Sequence, residues 1–305
     1  MNAPLDLAAR RAGVTGAPDS VGPDSLTWRY VGDVRYVPLG LSQAFLLQAA
    51  HPVISLGVEE HSTYKTDPGG RFERSIKLLW PVLYNTREGA LDYGRRVRER
   101  HRDIKGVDSS GKAYHALNPE PYLWVHMTAL ESMIRFAGYI GEAPGRPEQE
   151  QMFGEWRRLG LLLGLRDTDM PATLADFETL FADYIAHRLV RTPTLEFLLD
   201  AGYFRTVPRP PGLPVPDMVW RLVRRPLGDL AFLMTRGSMA PRFRERFNVP
   251  WGRRDALLFA ATTATLRLTW KIVPERLRWL PEAWQAIRDA RLHPEKYRQP
   301  EPMPS

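Results

Sequence analysis

RFERSIKLLWPVLYNTREGALDYGRRVRERHRDIK, running from Arg71 to Lys105, is the stretch whose reading decides the fold. It predicts two helices in series. The first, Arg71 to Tyr84, follows the breaker run Asp67-Pro68-Gly69-Gly70, a helix-start context. The second opens on Thr86 as N-cap and runs to Lys105, with Gly106 as its stop. Leu91, Gly94, Val97, His101 and Ile104 recur at three- and four-residue spacing and share a face, whereas Arg95, Arg96, Glu99, Arg100 and Arg102 mostly fall elsewhere. A histidine on an apolar stripe has two readings. One is a core-edge residue donating to a backbone carbonyl. The other is an imidazole facing a flat apolar cofactor, admitted by the small Gly94 two turns away. Spacing alone favours the first.

Upstream, LGLSQAFLLQAAHPVISLGVEEH (Leu39 to His61) is strongly apolar and helical, and Pro52 should kink or end it near His51. A helix apolar nearly all round belongs inside, which would put His51, Glu60 and His61 beside buried space. Downstream, Gly106 to Pro121 reads as a turn-rich connector. Helices follow at about Tyr122 to Gly141 (carrying His126), Glu148 to Leu163 and Ala172 to Val190. Pro208 to Pro214 is linker-like, and further helices are expected over Asp217 to Leu233, Pro241 to Phe247, Arg253 to Val273 and Pro281 to Arg291. No stretch alternates apolar and polar residues with hairpin signals, so the expected class is all-α. Residues 1–25, rich in Ala, Gly, Pro and Asp, read as a mobile arm, 26–295 as a single helical domain and 296–305 as a polar tail.

The totals exclude several chemistries. With no Cys there is no disulfide, thiolate catalysis, thiolate metal site or covalent haem attachment. No HExxH, P-loop, nucleophile elbow or strand-borne GxGxxG occurs. Glu131 and Glu155 lack the His three residues on that a di-iron bundle needs. The chain carries 42 Lys and Arg against 35 Asp and Glu, a net charge of +7. That excess reads as spread over mixed-charge helices with solvated faces rather than a nucleic-acid groove, with acidic partners and membrane surfaces left open. There is no apolar run long enough for a transmembrane helix and no export signal, so a cytoplasmic location is expected. Arg71 and Ser75, four apart, share a helix face, and Arg74 borders it. An inward Arg and hydroxyl need a polar guest or a paired carboxylate; the alternative is a surface Arg paired with Asp67 or Glu73.

A longer pattern has a family likeness. It comprises His51-Pro52; Gly57-Val58-Glu59-Glu60-His61-Ser62; Asp67-Pro68-x-x-Arg71-x-x-Arg74-Ser75; Val97-Arg98-x-x-His101; Tyr114-His115-Ala116-Leu117-Asn118-Pro119; and Trp124-Val125-His126. In order and spacing it resembles the MpaB/rubber-oxygenase catalytic domain, the family of latex clearing protein. The resemblance implies an all-helical bundle with a pocket between helices for non-covalent haem b. It implies His101 as the iron ligand, Arg71 and Ser75 flanking the haem on the distal side (Ser where latex clearing protein has Thr), and Arg98 as a further cofactor contact. Arg74 stands where that protein has a Lys able to reach the iron; a guanidinium stays protonated and is not expected to ligate. Glu60 is the expected proton base, and His126 is either a neighbour of the ligand shell or a packed core residue. Phe45, Leu46, Leu78, Leu79, Trp80, Trp124 and Met127 would wall a hydrophobic pocket, or simply form core. The implied activity is a haem-b-dependent oxygenase using dioxygen on a hydrophobic small molecule, such as oxidative cleavage of an isoprenoid C=C bond. The alternatives are a haem peroxygenase or dehydrogenase, or a non-catalytic haem-binding carrier or sensor.

Overall fold

Two helices joined by a short turn form the frame. In the computed structural model, which describes residues 19–108, 110–209 and 215–297, they are α4 (Pro68–Leu83) and α5 (Arg87–His101). Each starts at a side-chain cap: Asp67 accepts the Gly70 N–H at 2.9 Å, and Thr86 accepts that of Gly89 at 3.4 Å. Ahead of them, α1 (Leu26–Val31) begins with the Leu26 and Thr27 N–H groups bonded to the buried Glu155 carboxylate, at 3.0 and 2.8 Å. That carboxylate satisfies donors the helix itself leaves open and sits at its positive end.

A π-helical turn, Val37–Leu41, runs into α2 (Ser42–Ala49), and α3 (Pro52–His61) leaves it at 101°. His51 is extended (φ −85°, ψ 124°) and Pro52 occupies the first helical position, where its missing N–H costs nothing. The expected single kinked helix is therefore two. Leu39, Ala44, Leu46 and Leu47 are buried on the first arm, but on α3 only Ser55 is. His51 lies inside; Glu60 and His61 do not, correcting the expectation that all three sit beside buried space.

Helix α5 ends at His101, so Ile104 lies beyond it and the expected run to Lys105 is too long. The connector that follows contains a small antiparallel hairpin, β1 (Lys105–Val107) with β2 (Ala113–His115), in which Gly106 faces Tyr114. Then come α6 (Pro119–Tyr139), α7 (Arg146–Leu162), α8 (Leu174–Asp183), the π-helical turn Tyr184–Arg188, α9 (Pro193–Leu198) and α10 (Ala201–Thr206). The last five helices are α11 (Asp217–Ser238), α12 (Pro241–Arg246), α13 (Arg253–Trp270), α14 (Glu275–Arg278) and α15 (Pro281–Leu292). The fold is all-α apart from that hairpin.

Of the expected arm, residues 1–18 lie outside the described residues, as do 210–214 of the linker-like segment and 298–305 of the tail. Val21 is buried, and its carbonyl accepts the Trp28 indole N–H at 3.0 Å. The C-terminal segment returns to the start: Val34 N–H reaches the Arg278 carbonyl at 3.0 Å and Leu280 N–H that of Gly32 at 2.8 Å. No single helix among the described residues is long and apolar enough to cross a membrane.

The core is aromatic. Trp124 stacks on Tyr184 with centroids 4.5 Å apart, and its indole N–H meets the Leu47 carbonyl at 3.0 Å. His126 stacks on Trp156 at 4.6 Å; the two exchange side-chain-to-carbonyl hydrogen bonds, both 2.8 Å. Burial pulls the His126 pKa from 6.5 down to about 4, against the opposing pull of that carbonyl. The unfolded chain therefore binds a proton that the folded one refuses, and stability falls as pH drops from about 6.5 towards 4. Between pH 7 and 5 this one residue should remove roughly 2 kcal/mol of unfolding free energy. Urea titrations at the two pH values should show that difference in the native protein and its loss in His126→Gln; an equal difference in both would contradict the assignment.

Candidate functional site

An antiparallel hairpin of helices brings residues together when they are equally far from its turn. Arg71 lies fourteen residues before Asn85 and His101 sixteen after it, and α4 packs along α5. At about 1.5 Å per residue both stand roughly 20–25 Å from the turn. The open end of the hairpin thus carries both residues at one level.

His101, the last residue of α5, is half-buried. Its Nδ1–H lies 2.7 Å from the carbonyl oxygen of Val97, one turn back. This is the backbone contact of the core-edge reading. It also leaves Nε2 with a lone pair and no hydrogen-bond partner among the described residues, as a metal-ligating imidazole requires. Tyr122 presents an edge-to-face contact at 6.4 Å, and its hydroxyl donates to the Leu163 carbonyl at 3.0 Å. Burial raises the Tyr122 pKa to about 12 despite the nearby Arg98 cation. Arg98, three residues before His101, has a buried Nε with no hydrogen-bond partner. Its stem lies across Gly164, where φ is +86° and a Cβ would fall 2.5 Å from the Arg98 Cδ.

Gly94 is not open to a cofactor. A Cβ there would lie 2.3 Å from the Leu162 carbonyl oxygen, so the glycine lets α5 approach the end of α7. Gly106 likewise is no helix stop: it gives room to Glu60 and Tyr114, each with an atom 2.8 Å from its would-be Cβ.

Arg71 Nε donates to the Ser62 hydroxyl at 3.2 Å, and its guanidinium lies 5.0 Å from the Phe45 ring centroid. No carboxylate pairs with it among the described residues. Burial lowers its pKa from the usual guanidinium value, the Tyr203 phenol opposing that and Arg74 adding to it. Ser75 donates its hydroxyl to the Arg71 carbonyl at 2.9 Å, a bond along the helix. Arg74 is turned to the surface, 3.0 Å from Asp67 and 2.8 Å from the Thr63 hydroxyl.

Glu60 is exposed and accepts a hydrogen bond from the Tyr114 hydroxyl. Its neighbour Glu59 is the more enclosed carboxylate, bonded by Tyr64, by Lys65 at 2.6 Å and by Thr194 at 2.9 Å. Burial pushes the Glu59 pKa up, and those three donors together bring it below the usual value. Of the expected pocket walls, Leu46, Trp80, Trp124 and Met127 are fully enclosed core, while Phe45 and Leu78 are half-buried and Leu79 exposed.

Sequence spacing did not point to Tyr203, which reaches Arg71 from α10. The signal was present only as an aromatic pair, Tyr203-Phe204, in a segment too short to read as a helix. No group of three or more His, Asp or Glu able to hold a metal occurs among the described residues.

Residues 28–268 match the family model described as the ER-bound oxygenase mpaB/B′/rubber oxygenase catalytic domain. Two similar proteins, both named as uncharacterized, come from Mycobacterium bovis and Mycobacterium tuberculosis. Each is 22% identical over 239 residues, covering 76% of this chain and 88% of the relative. No solved structure matches the chain.

The Gly94 contact is with backbone rather than with a movable side chain, so the substitution Gly94→Ala forces the two helices apart. A loss of about 1–3 kcal/mol in urea unfolding is expected. An unshifted midpoint would mean the carbonyl yields without cost.

Proposed function

The chain belongs to the mpaB/rubber-oxygenase catalytic-domain family, a family of oxygenases, and from that premise we propose a haem-b-dependent oxygenase that oxidises a hydrophobic small molecule with dioxygen. The observation that carries the reading is the His101 imidazole, fixed through Nδ1 by the Val97 carbonyl and free at Nε2. Haem b would supply the redox chemistry that activates dioxygen. The residues present fit it: Nε2 of His101 would hold the iron, and the unpartnered Arg98 Nε offers a cation and donor to a propionate carboxylate.

Arg71 supplies the polar half of the site. A partly dehydrated guanidinium with no carboxylate keeps its N–H donors available for negative charge that develops on oxygen during reaction. Ser62 holds its Nε and the Phe45 ring lies beside it, so its position does not depend on a guest. Ser75 has its proton committed to the Arg71 carbonyl, so its hydroxyl oxygen is an acceptor toward the same space. Arg74, occupied by Asp67 and Thr63, takes no part as an iron ligand in this reading. Glu60, exposed and tied to Tyr114, is assigned no proton transfer.

The test is the visible spectrum of purified protein supplied with haemin. The native protein should show a Soret band, and His101→Ala should lose it; a normal band in the variant would overturn the ligand assignment. Arg71→Met should keep both the band and, because a buried charge gives way to an apolar chain, its stability. Its oxygen uptake with a hydrophobic substrate should fall at least tenfold, about 1.4 kcal/mol of transition-state stabilisation. Undiminished uptake would remove Arg71 from the mechanism.

A further inference from the structure

The C-terminal helices expose aliphatic side chains where a water-facing surface would be polar. On α11, Met218 and Leu222 are 74% and 78% exposed, with Val219, Leu227 and Leu230 also outside. At 100° per residue these occupy one half of the helix, and Arg221, Arg224 and Arg225 lie towards the other. On that other half the helix meets α10 at Gly228, while Arg221 and Arg225 stay exposed at its flanks. A Cβ on Gly228 would fall 2.4 Å from the Phe204 carbonyl, and Arg224 has a buried Nε with no hydrogen-bond partner. In its first half α11 thus turns its apolar side outward.

Helix α13 repeats the pattern. It is anchored through Phe259 and Thr263, while Leu257, Ala261 and Leu268 form an exposed stripe on its far side, continued beyond the helix by Ile272. The two surfaces adjoin, for Leu230 of α11 and Leu258 of α13 line one cleft of about 510 Å³.

Charge is segregated in the same place. Residues 217–278 hold 13 Lys and Arg against 5 Asp and Glu, a net +8, leaving 29 against 30, a net −1, for all other residues. The excess is therefore not spread over all the helices, as the sequence first suggested, but falls within the one segment of sequence that also carries these aliphatics.

We propose that this face, built by the outer sides of α11 and α13 and the segment 271–277, docks on an anionic lipid bilayer. Aliphatic chains would enter the headgroup–acyl boundary while Arg221, Arg225, Arg253, Arg254, Lys271 and Arg276 meet lipid phosphates. A second copy of the chain fits poorly, since joining two such faces sets their Arg and Lys side chains against one another. Nucleic acid would satisfy the arginines and leave the leucines in water. The proposal stands on this surface alone, whatever His101 binds.

Co-sedimentation with vesicles tests it on the full chain. Native protein should pellet with an equal mixture of phosphatidylcholine and phosphatidylglycerol, at least tenfold more weakly with phosphatidylcholine alone, and less as salt is raised. The double variant Leu222→Ser/Leu268→Ser, at two exposed positions, should keep its helical circular dichroism and lose binding at least tenfold. Arg225→Ser/Arg253→Ser should lose most of the binding at low salt. The idea is overturned if native protein stays in solution with both vesicle types, or if the leucine variant pellets like native. It is equally overturned by a native dimer that the leucine variant dissociates, or by duplex DNA displacing the vesicles.

Discussion

The bond from His101 Nδ1 to the Val97 carbonyl governs what the other ring nitrogen can do. Were it absent, either nitrogen could carry the proton and the ring could turn. With it, the neutral ring is held as one tautomer, and Nε2 presents a lone pair in one direction. The bond exists because Val97 and His101 stand one turn apart at the end of α5, so the ring folds back along the helix to a carbonyl that still has a second lone pair to offer. Where that turn lies follows in part from Gly94, which lets α5 settle against the Leu162 carbonyl. Backbone packing thus reaches Nε2 of His101 through a single hydrogen bond.

The treatment of arginine in this chain gives Arg71 its meaning. Arg35, also buried, is paired with Asp33 at 2.6 Å and covered by Trp270 with its guanidinium 3.9 Å from the ring. Arg74, one turn from Arg71, has Asp67. Arg71 has a hydroxyl and two aromatic neighbours instead, and burial pulls its pKa down. Leaving a guanidinium without a counter-ion costs stability that a methionine or leucine there would not cost. Beside the buried Arg35–Asp33 pair, a partly buried guanidinium with no carboxylate among the described residues is a centre of positive potential that an anionic or polar guest could meet.

Much of this was legible in the chain where the determinant is local. Asp67 and Thr86 cap helices through bonds to their own third neighbours, and the apolar stripe put His101 on the inner side of α5. The two glycines were misread for the opposite reason. Gly94 owes its lack of a side chain to Leu162 and Gly106 owes it to Glu60 and Tyr114, partners that no window around either residue contains. Helices α9 and α10 are single turns or little more, and too brief to show a period. Tyr203, which completes the surroundings of Arg71, sits on one of them. The Leu39 to His61 run failed more subtly. Its composition was that of an interior helix, yet a proline at position 52 begins a helix as readily as it kinks one, and the 101° bend carries Glu60 and His61 out to solvent.

The charge balance was misjudged because it was weighed helix by helix, where every basic helix also shows an acid. Summed along the chain, the residues before 217 and after 278 nearly cancel, and the whole excess belongs to one segment. Neither half of that observation means much by itself. Scattered exposed leucines are ordinary on soluble proteins, and a basic stretch is ordinarily a solvated face. Their coincidence is different, because water rewards the arginines and penalises the leucines, whereas the hydrophobic core rewards the leucines and rejects the arginines. Helix α11 makes the conflict explicit: it packs Gly228 against α10 and leaves Arg221 and Arg225 outside together with Met218, Leu222 and Leu230. An environment that accepts both, with negative charge over hydrocarbon, resolves the conflict without asking the helix to turn round.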